Sequence, residues 1–142
     1  MCTDDVIINK IASIERCLAR IEQEYRGFEQ EFASNYTKQD SVILNLQRAC
    51  EQAIDLANYI VRKQQLGVPQ SARDSFQLLA NANLLPADLA HHMQSMVGFR
   101  NIAIHGYQTL NLTILISIME HRLGDFSRFS QAMFSYLGQT RV

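Results

Sequence analysis

The sequence predicts an all-α protein built as an antiparallel, up-and-down bundle of about five helices. Three observations carry that prediction. Apolar residues recur at steps of three and four through most of the chain, the period of a helix with one buried stripe. Turn-forming residues are scarce, with 6 Gly and 2 Pro in 142 residues, while helix-favouring Ala, Leu, Gln, Glu and Arg are abundant. The segments between periodic stretches are short, which favours antiparallel neighbours. At 47% hydrophobic residues, a chain of 142 buries a continuous core, and we expect one domain spanning 1–142.

Ile7, Ile11, Ile14, Cys17, Leu18 and Ile21 form the stripe of a first helix from about 4 to 25. The acidic Glu22, Glu24, Glu29 and Glu31 read as a solvated face or helix end. Asn35-Tyr36-Thr37 with Gln39 and Asp40 breaks the period and supplies capping groups. A long stripe from Val42 to Ile60 then predicts a second helix over about 38–65, with Gly67 as its stop and Pro69 preventing resumption.

Ser71 caps a shorter third helix, about 71–82, carrying Phe76, Leu78 and Leu79. It ends before Leu85-Pro86, because the residue preceding proline disfavours helical angles. Pro86 suits the first turn of a fourth helix with the stripe Leu89, Met93, Met96 and Val97. Leu112, Leu115, Ile118, Met119, Leu123, Phe126, Phe129, Met133 and Leu137 continue the period as a fifth helix, which Gly124 interrupts without ending.

Composition narrows the function. No apolar run reaches the roughly 18 residues of a membrane span, and the acidic start Met1-Cys2-Thr3-Asp4-Asp5 is unlike a basic secretory leader. A cytoplasmic protein with no membrane partner is expected. Cys2, Cys17 and Cys50 are odd in number and widely spaced, which indicates neither a disulfide framework nor a zinc site; Cys17 and Cys50 read as core. A formal charge of −1 argues against coating nucleic acid by bulk electrostatics, so any polyanion must be held locally.

The stretch FRNIAIHGYQ, 99–108, gathers an arginine, a histidine and a tyrosine at the end of the fourth helix. Gly106 is expected as the left-handed residue that ends the helix, and Tyr107 could then lay its ring on Ile102. Both cations also suit a helix C-terminus, where the macrodipole is negative. A polar helix end therefore explains much of the stretch. Chemistry explains it too: a histidine near neutrality takes a proton from a hydroxyl, and an arginine holds a phosphate with two prongs. Those are two parts of metal-free RNA cleavage, which also wants a proton donor for the leaving oxygen.

Spacing alone does not bring Arg100 to His105, since five helical residues leave them about 140° apart around the axis. A two-fold dimer pairing the ends of the fourth helix places two of each around one cleft and concentrates positive charge there.

Other groups read as structural. His91-His92 points two rings about 100° apart, unlike a metal pair, and reads as surface. His121 beside Glu120 reads as a surface pair, and Arg48 and Asp55 as a solvated face of the second helix, although they could border a cleft. There is no Gly-rich phosphate loop and no paired-carboxylate motif of a metal nuclease.

Arg100, four residues, His105, Gly106 and Tyr107 resemble the Arg-x4-His-x-Tyr pattern of HepT toxins in the HEPN superfamily. DSVILNLQRACEQAIDLANYIV (40–61), DSFQLLANANLLP (74–86) and MVGFRNIAIHGY (96–107) resemble that family's successive helices, and the likeness runs from about 5 to 135. The resemblance implies a HEPN-like homodimer and a metal-independent endoribonuclease toxin acting on tRNA or mRNA. It implies Arg100 as the residue that binds and polarises the scissile phosphate, His105 as the acid and base, and Asn101 as an orienting residue. It further implies an MntA-like minimal nucleotidyltransferase antitoxin that uses ATP to place AMP on Tyr107, with no cofactor or metal in the toxin itself. Attached AMP is bulky and anionic, so it would fill the cleft and pair with Arg100 in place of RNA. The family's usual acidic or bulky residue between histidine and tyrosine is Gly106 here. Two other readings stand beside this one: a non-catalytic HEPN module that binds nucleotide or a nucleotidyltransferase, and a plain interaction bundle.

Overall fold

The protein was analysed as a computed structural model that describes residues 3–105 and 111–140. The described residues form six helices: α1 (Thr3–Tyr25), α2 (Tyr36–Lys63), α3 (Ala72–Asn81), α4 (Ala87–His105), α5 (Leu112–His121) and α6 (Leu123–Thr140), with a 3-10 turn at Phe32–Ser34. Among them there is no strand, and no helix is long and apolar enough to cross a membrane. Cys2 lies outside the described residues; Cys17 and Cys50 are buried free thiols, as their positions on apolar faces predict.

Helix ends follow local chemistry. Asn35 caps α2 by accepting from the Lys38 amide, so this helix begins two residues before the predicted position. Ser71 accepts from the Asp74 amide and caps α3 as expected. At the end of α2 the residue that closes the helix is Gln65 (φ 53°), and Gly67, two residues on, also takes a positive φ of 135°. Leu66 donates to the Val61 carbonyl and Gln65 to that of Arg62, the paired bonds of a Schellman turn. Asn83 (φ 61°) ends α3 in the same way, with Leu84 donating to Leu79. Pro86 lies just before α4 and its carbonyl takes the helix's first bond, from Ala90.

The predicted fifth helix is two. α5 stops at His121, Arg122 leaves the helical region at φ −122°, and its carbonyl accepts from Asp125 as α6 begins. The break falls two residues before Gly124, which lies within α6. It lets one continuous apolar period serve two directions: Leu115, Ile118 and Met119 bury one face, and Phe126, Phe129, Met133 and Tyr136 another.

Cross-helix contacts set the antiparallel order. Lys10 meets Asp55 at 3.4 Å while, further along α1, Cys17 lies near Arg48, so α1 and α2 run in opposite directions. α4 and α6 do likewise, with Asp88 against Arg128 at 3.2 Å and His92 against Asp125 at 3.4 Å. Ser75 of α3 bonds Asn58 of α2, and Gln64 at the end of α2 donates to the Tyr136 hydroxyl of α6 at 2.5 Å. Phe76 and Phe129 meet edge to face at 5.6 Å in a core that all six helices share.

Glu120 and His121 are both exposed, the expected surface pair, and Glu120 has further partners across the fold. It accepts from the Tyr25 hydroxyl at 2.5 Å and from Arg26 at 3.2 and 3.3 Å, tying the end of α5 to the end of α1. Burial and this carboxylate push the Tyr25 hydroxyl up to about 12. Truncating the aromatic centre tests the core: Phe129→Ala should lower the unfolding free energy by about 3–5 kcal/mol in urea titration, with secondary structure retained in native buffer.

Candidate functional site at the end of α4

The site is built on the last turns of α4, between α2 on one side and α5 and α6 on the other. Phe99 and Ala103 are buried and anchor these turns, while Asn101 is exposed. Arg100 is half-buried and turned toward α2, where its charge is felt by the Cys50 thiol. Its Nε is buried and has no hydrogen-bond partner among the described residues. A buried cationic nitrogen without an acceptor is costly and uncommon, because it forfeits water without replacing it.

Cys50 marks the floor beside it. The thiol donates to the Met96 carbonyl at 3.6 Å, and burial pushes it up to about 12 while Arg100 pulls the other way.

His105 is the last residue of α4, so the helix is continuous from Arg100 to His105. Along a regular helix positions 100 and 105 lie about 140° apart, as the spacing predicts. Gly106 and Tyr107, with the expected helix stop and the expected ring contact on Ile102, lie outside the described residues. Either side of them the surface is apolar: Ile102, Ile104 and Ile114 are 49%, 41% and 52% exposed.

A cleft of about 820 Å³ opens between α4, α5 and the start of α6. Phe99, Ile102, Ile114 and Ile118 give it apolar walls, and His92, Arg122 and Asp125 a polar end. His92 keeps 31% of its side chain exposed at the rim of this cleft, so the surface reading holds in part. Its ring turns inward because Asp125, whose side chain is only 9% exposed, stands across α6; the 3.4 Å separation is an electrostatic approach without a hydrogen bond. Oδ2 of Asp125 also lacks a partner. No sequence signal could have joined two residues so far apart, since only the turn at Arg122 brings Asp125 to α4.

His91 is exposed, and no group of three or more His, Cys, Asp or Glu able to hold a metal occurs among the described residues. Arg48 and Asp55 do not border Arg100. Asp55 pairs with Lys10, and Arg48 lies on the α1 side of α2.

The comparisons fit this geometry. A family profile described as ribonuclease HepT-like matches residues 14–133. The chain is 56% identical over 126 residues to the mRNA nuclease HepT of Shewanella oneidensis, covering 89% of this chain and 94% of that protein. It superposes with a TM-score of 0.88 on the tri-AMPylated Shewanella oneidensis HEPN toxin in complex with MNT antitoxin, at 53% identity over 92% of this chain and 98% of that one. A toxin–antitoxin structure with AMP-PNP matches with the same score, identity and coverage.

Cys50 supplies a test of the buried floor. Because burial pushes its thiol up to about 12, alkylation by iodoacetamide at pH 8 should run about a thousandfold slower than for a free thiol near 8.5. The thiolate fraction should rise about tenfold per pH unit, and peptide mapping after a quench measures it; fast labelling of Cys50 in the folded protein would place it, and Arg100 beside it, at an open surface. With most of its length matched by the profile and by a close curated relative, the chain belongs to the ribonuclease HepT-like family of HEPN proteins.

Proposed function

We propose that this protein is the toxin of a toxin–antitoxin pair, an endoribonuclease that cuts mRNA or tRNA in the cytoplasm and is silenced by AMP placed on Tyr107. The observation that carries the reading is the buried, unpartnered Nε of Arg100, in a chain 56% identical to an mRNA nuclease. An anion at that point completes an arginine that the fold leaves incomplete.

The mechanism follows from what each group can do. Arg100 holds the non-bridging oxygens of the scissile phosphate and stabilises the charge that builds there. His105 takes the proton of the neighbouring 2′-hydroxyl, whose oxygen attacks phosphorus; the bond to the 5′-oxygen breaks, and that oxygen takes a proton from a second acid. The cleavage leaves a cyclic phosphate and a 5′-hydroxyl, and no step calls for a metal. Asn101, exposed one residue on, orients the phosphate.

One chain does not suffice on this reading, because positions 100 and 105 of the continuous α4 lie about 140° apart around a regular helix axis. A homodimer that joins the ends of two α4 helices sets Arg100 of one protomer beside the partner's His105, and supplies the second proton donor. The exposed Ile102, Ile104 and Ile114 support that contact, being an apolar patch at the same place.

Control uses the same cleft. A minimal nucleotidyltransferase antitoxin brings ATP; the Tyr107 oxygen attacks the α-phosphate, pyrophosphate leaves, and the phenolic proton is lost to solvent. The AMP-bearing tyrosine then presents its phosphate to Arg100 in place of RNA. A relative that is tri-AMPylated and bound to an MNT antitoxin supports this reading, as does one with AMP-PNP.

Purified protein should cleave RNA in excess EDTA, and Arg100→Ala or His105→Ala should lower kcat at least a hundredfold while melting within a few degrees of wild type. Failure of the unmodified protein to cut any cellular RNA would instead favour a non-catalytic binding module. With the antitoxin and ATP, intact mass should increase by one or more AMP units in wild type and stay constant in Tyr107→Phe; AMP on the phenylalanine variant would move the modification elsewhere.

A further inference from the structure

A groove of about 880 Å³ runs between the outer faces of α1 and α2, away from Arg100. Arg16 and Arg20 of α1 line it from one side, about 6 Å apart along the axis, and Arg48 of α2 from the other. Arg16 and Arg48 both reach far enough to pull against the burial that raises the Cys17 thiol on the groove floor. Elsewhere Lys10 is paired with Asp55, Arg26 with Glu22 and Glu120, and Arg128 with Asp88, while the other unpaired cations do not converge on one groove with two partners. None of the three groove arginines has a carboxylate within ion-pair distance among the described residues. Arg20 donates to Gln23 at 3.4 Å, and Glu51, the carboxylate at the rim, accepts from Gln47.

Three unneutralised guanidiniums on a chain of net charge −1 form a local positive field of the kind that holds phosphates. Gln52 adds an amide donor suited to phosphate and sugar oxygens, while the Asn45 amide donates to the Ser41 carbonyl at 2.8 Å. The lining lacks the large apolar centre that protein interfaces carry.

We propose that this α1–α2 groove is a second RNA-binding surface, which grips the phosphate backbone of the substrate several nucleotides from the cut. It rests on the nuclease reading above. Arg48 and Cys50 point about 200° apart around α2, so the groove and the Arg100 site flank opposite sides of that helix. An RNA strand must pass around α2 to use both. Long substrates therefore engage the groove, and oligonucleotides of a few residues reach only the cleavage site.

The full chain with Arg16, Arg20 and Arg48 all changed to Gln is compared with wild type by anisotropy of fluorescein-labelled single-stranded RNA across salt concentrations. Losing three phosphate contacts should make the plot of log K against log salt shallower by about 2, and weaken binding of a long RNA on the order of tenfold near physiological salt. KM for long RNA should rise in parallel, with kcat and the cleavage of a short oligonucleotide unchanged. Photocrosslinking of 4-thiouridine RNA to the unmutated protein should give adducts within 13–20 and 41–52, which decides the matter if the triple variant fails to fold. An unchanged salt slope, or crosslinks confined to α4 and α5, overturns the groove even if the protein cuts RNA. Loss of antitoxin binding with RNA binding intact overturns it as well, and marks a protein-docking face. If wild type cuts no RNA, the nuclease reading fails while the salt slope and crosslinks still judge the groove.

Discussion

The crossing of α4 over α2 at Met96 and Cys50 governs what the rest of the molecule can do. There the Cys50 thiol closes on the Met96 carbonyl, and the next turn of α4 carries Arg100 into the space beside it. A guanidinium arrives there on a rigid helix, not a loop, with its Nε already stripped of water. On the function proposed above, positioning of this kind would limit reorganisation at the moment charge develops on a bound phosphate. The other helices serve that placement: α6 holds α4 from behind through Asp88–Arg128, and α3 braces it where Arg73 donates to the Gln94 carbonyl.

Much of this was written in the hydrophobic period. The stripes in α1, α2 and α4 predicted elements within two or three residues of their ends, because one face of each must be buried and the period leaves little freedom. What sequence reading missed depends on tertiary context. Gln65 and Asn83 take left-handed angles because their amides, and those of Leu66 and Leu84, find carbonyls one turn back, where the sequence had offered Gly67 and Leu85-Pro86 as the stops. The turn at Arg122 was hidden because the apolar period runs straight through it, and an unbroken period gives no sign that the burying surface has changed direction.

The site was legible in a different way. Arg100, Asn101, His105 and Tyr107 stand out as a spaced set, but a set on one helix does not give convergence. The five-residue step that places Arg100 and His105 on different sides of α4 is a statement about helical geometry, and α4 obeys it. His92 and Asp125 illustrate the converse. They form a buried approach that no spacing rule joins, since they are neighbours only after α6 has folded back along α4.

The orphaned Nε of Arg100 also bears on thermodynamics. A native state that buries one guanidinium nitrogen with no acceptor among the described residues is less stable than its packing alone would allow. Any anion that settles there with affinity for the folded chain alone relieves that penalty, and raises folding stability by RT ln(1 + [L]/Kd). Occupancy and foldedness are then linked quantities, so an empty cleft and a filled one belong to proteins of different thermal stability and different susceptibility to proteolysis.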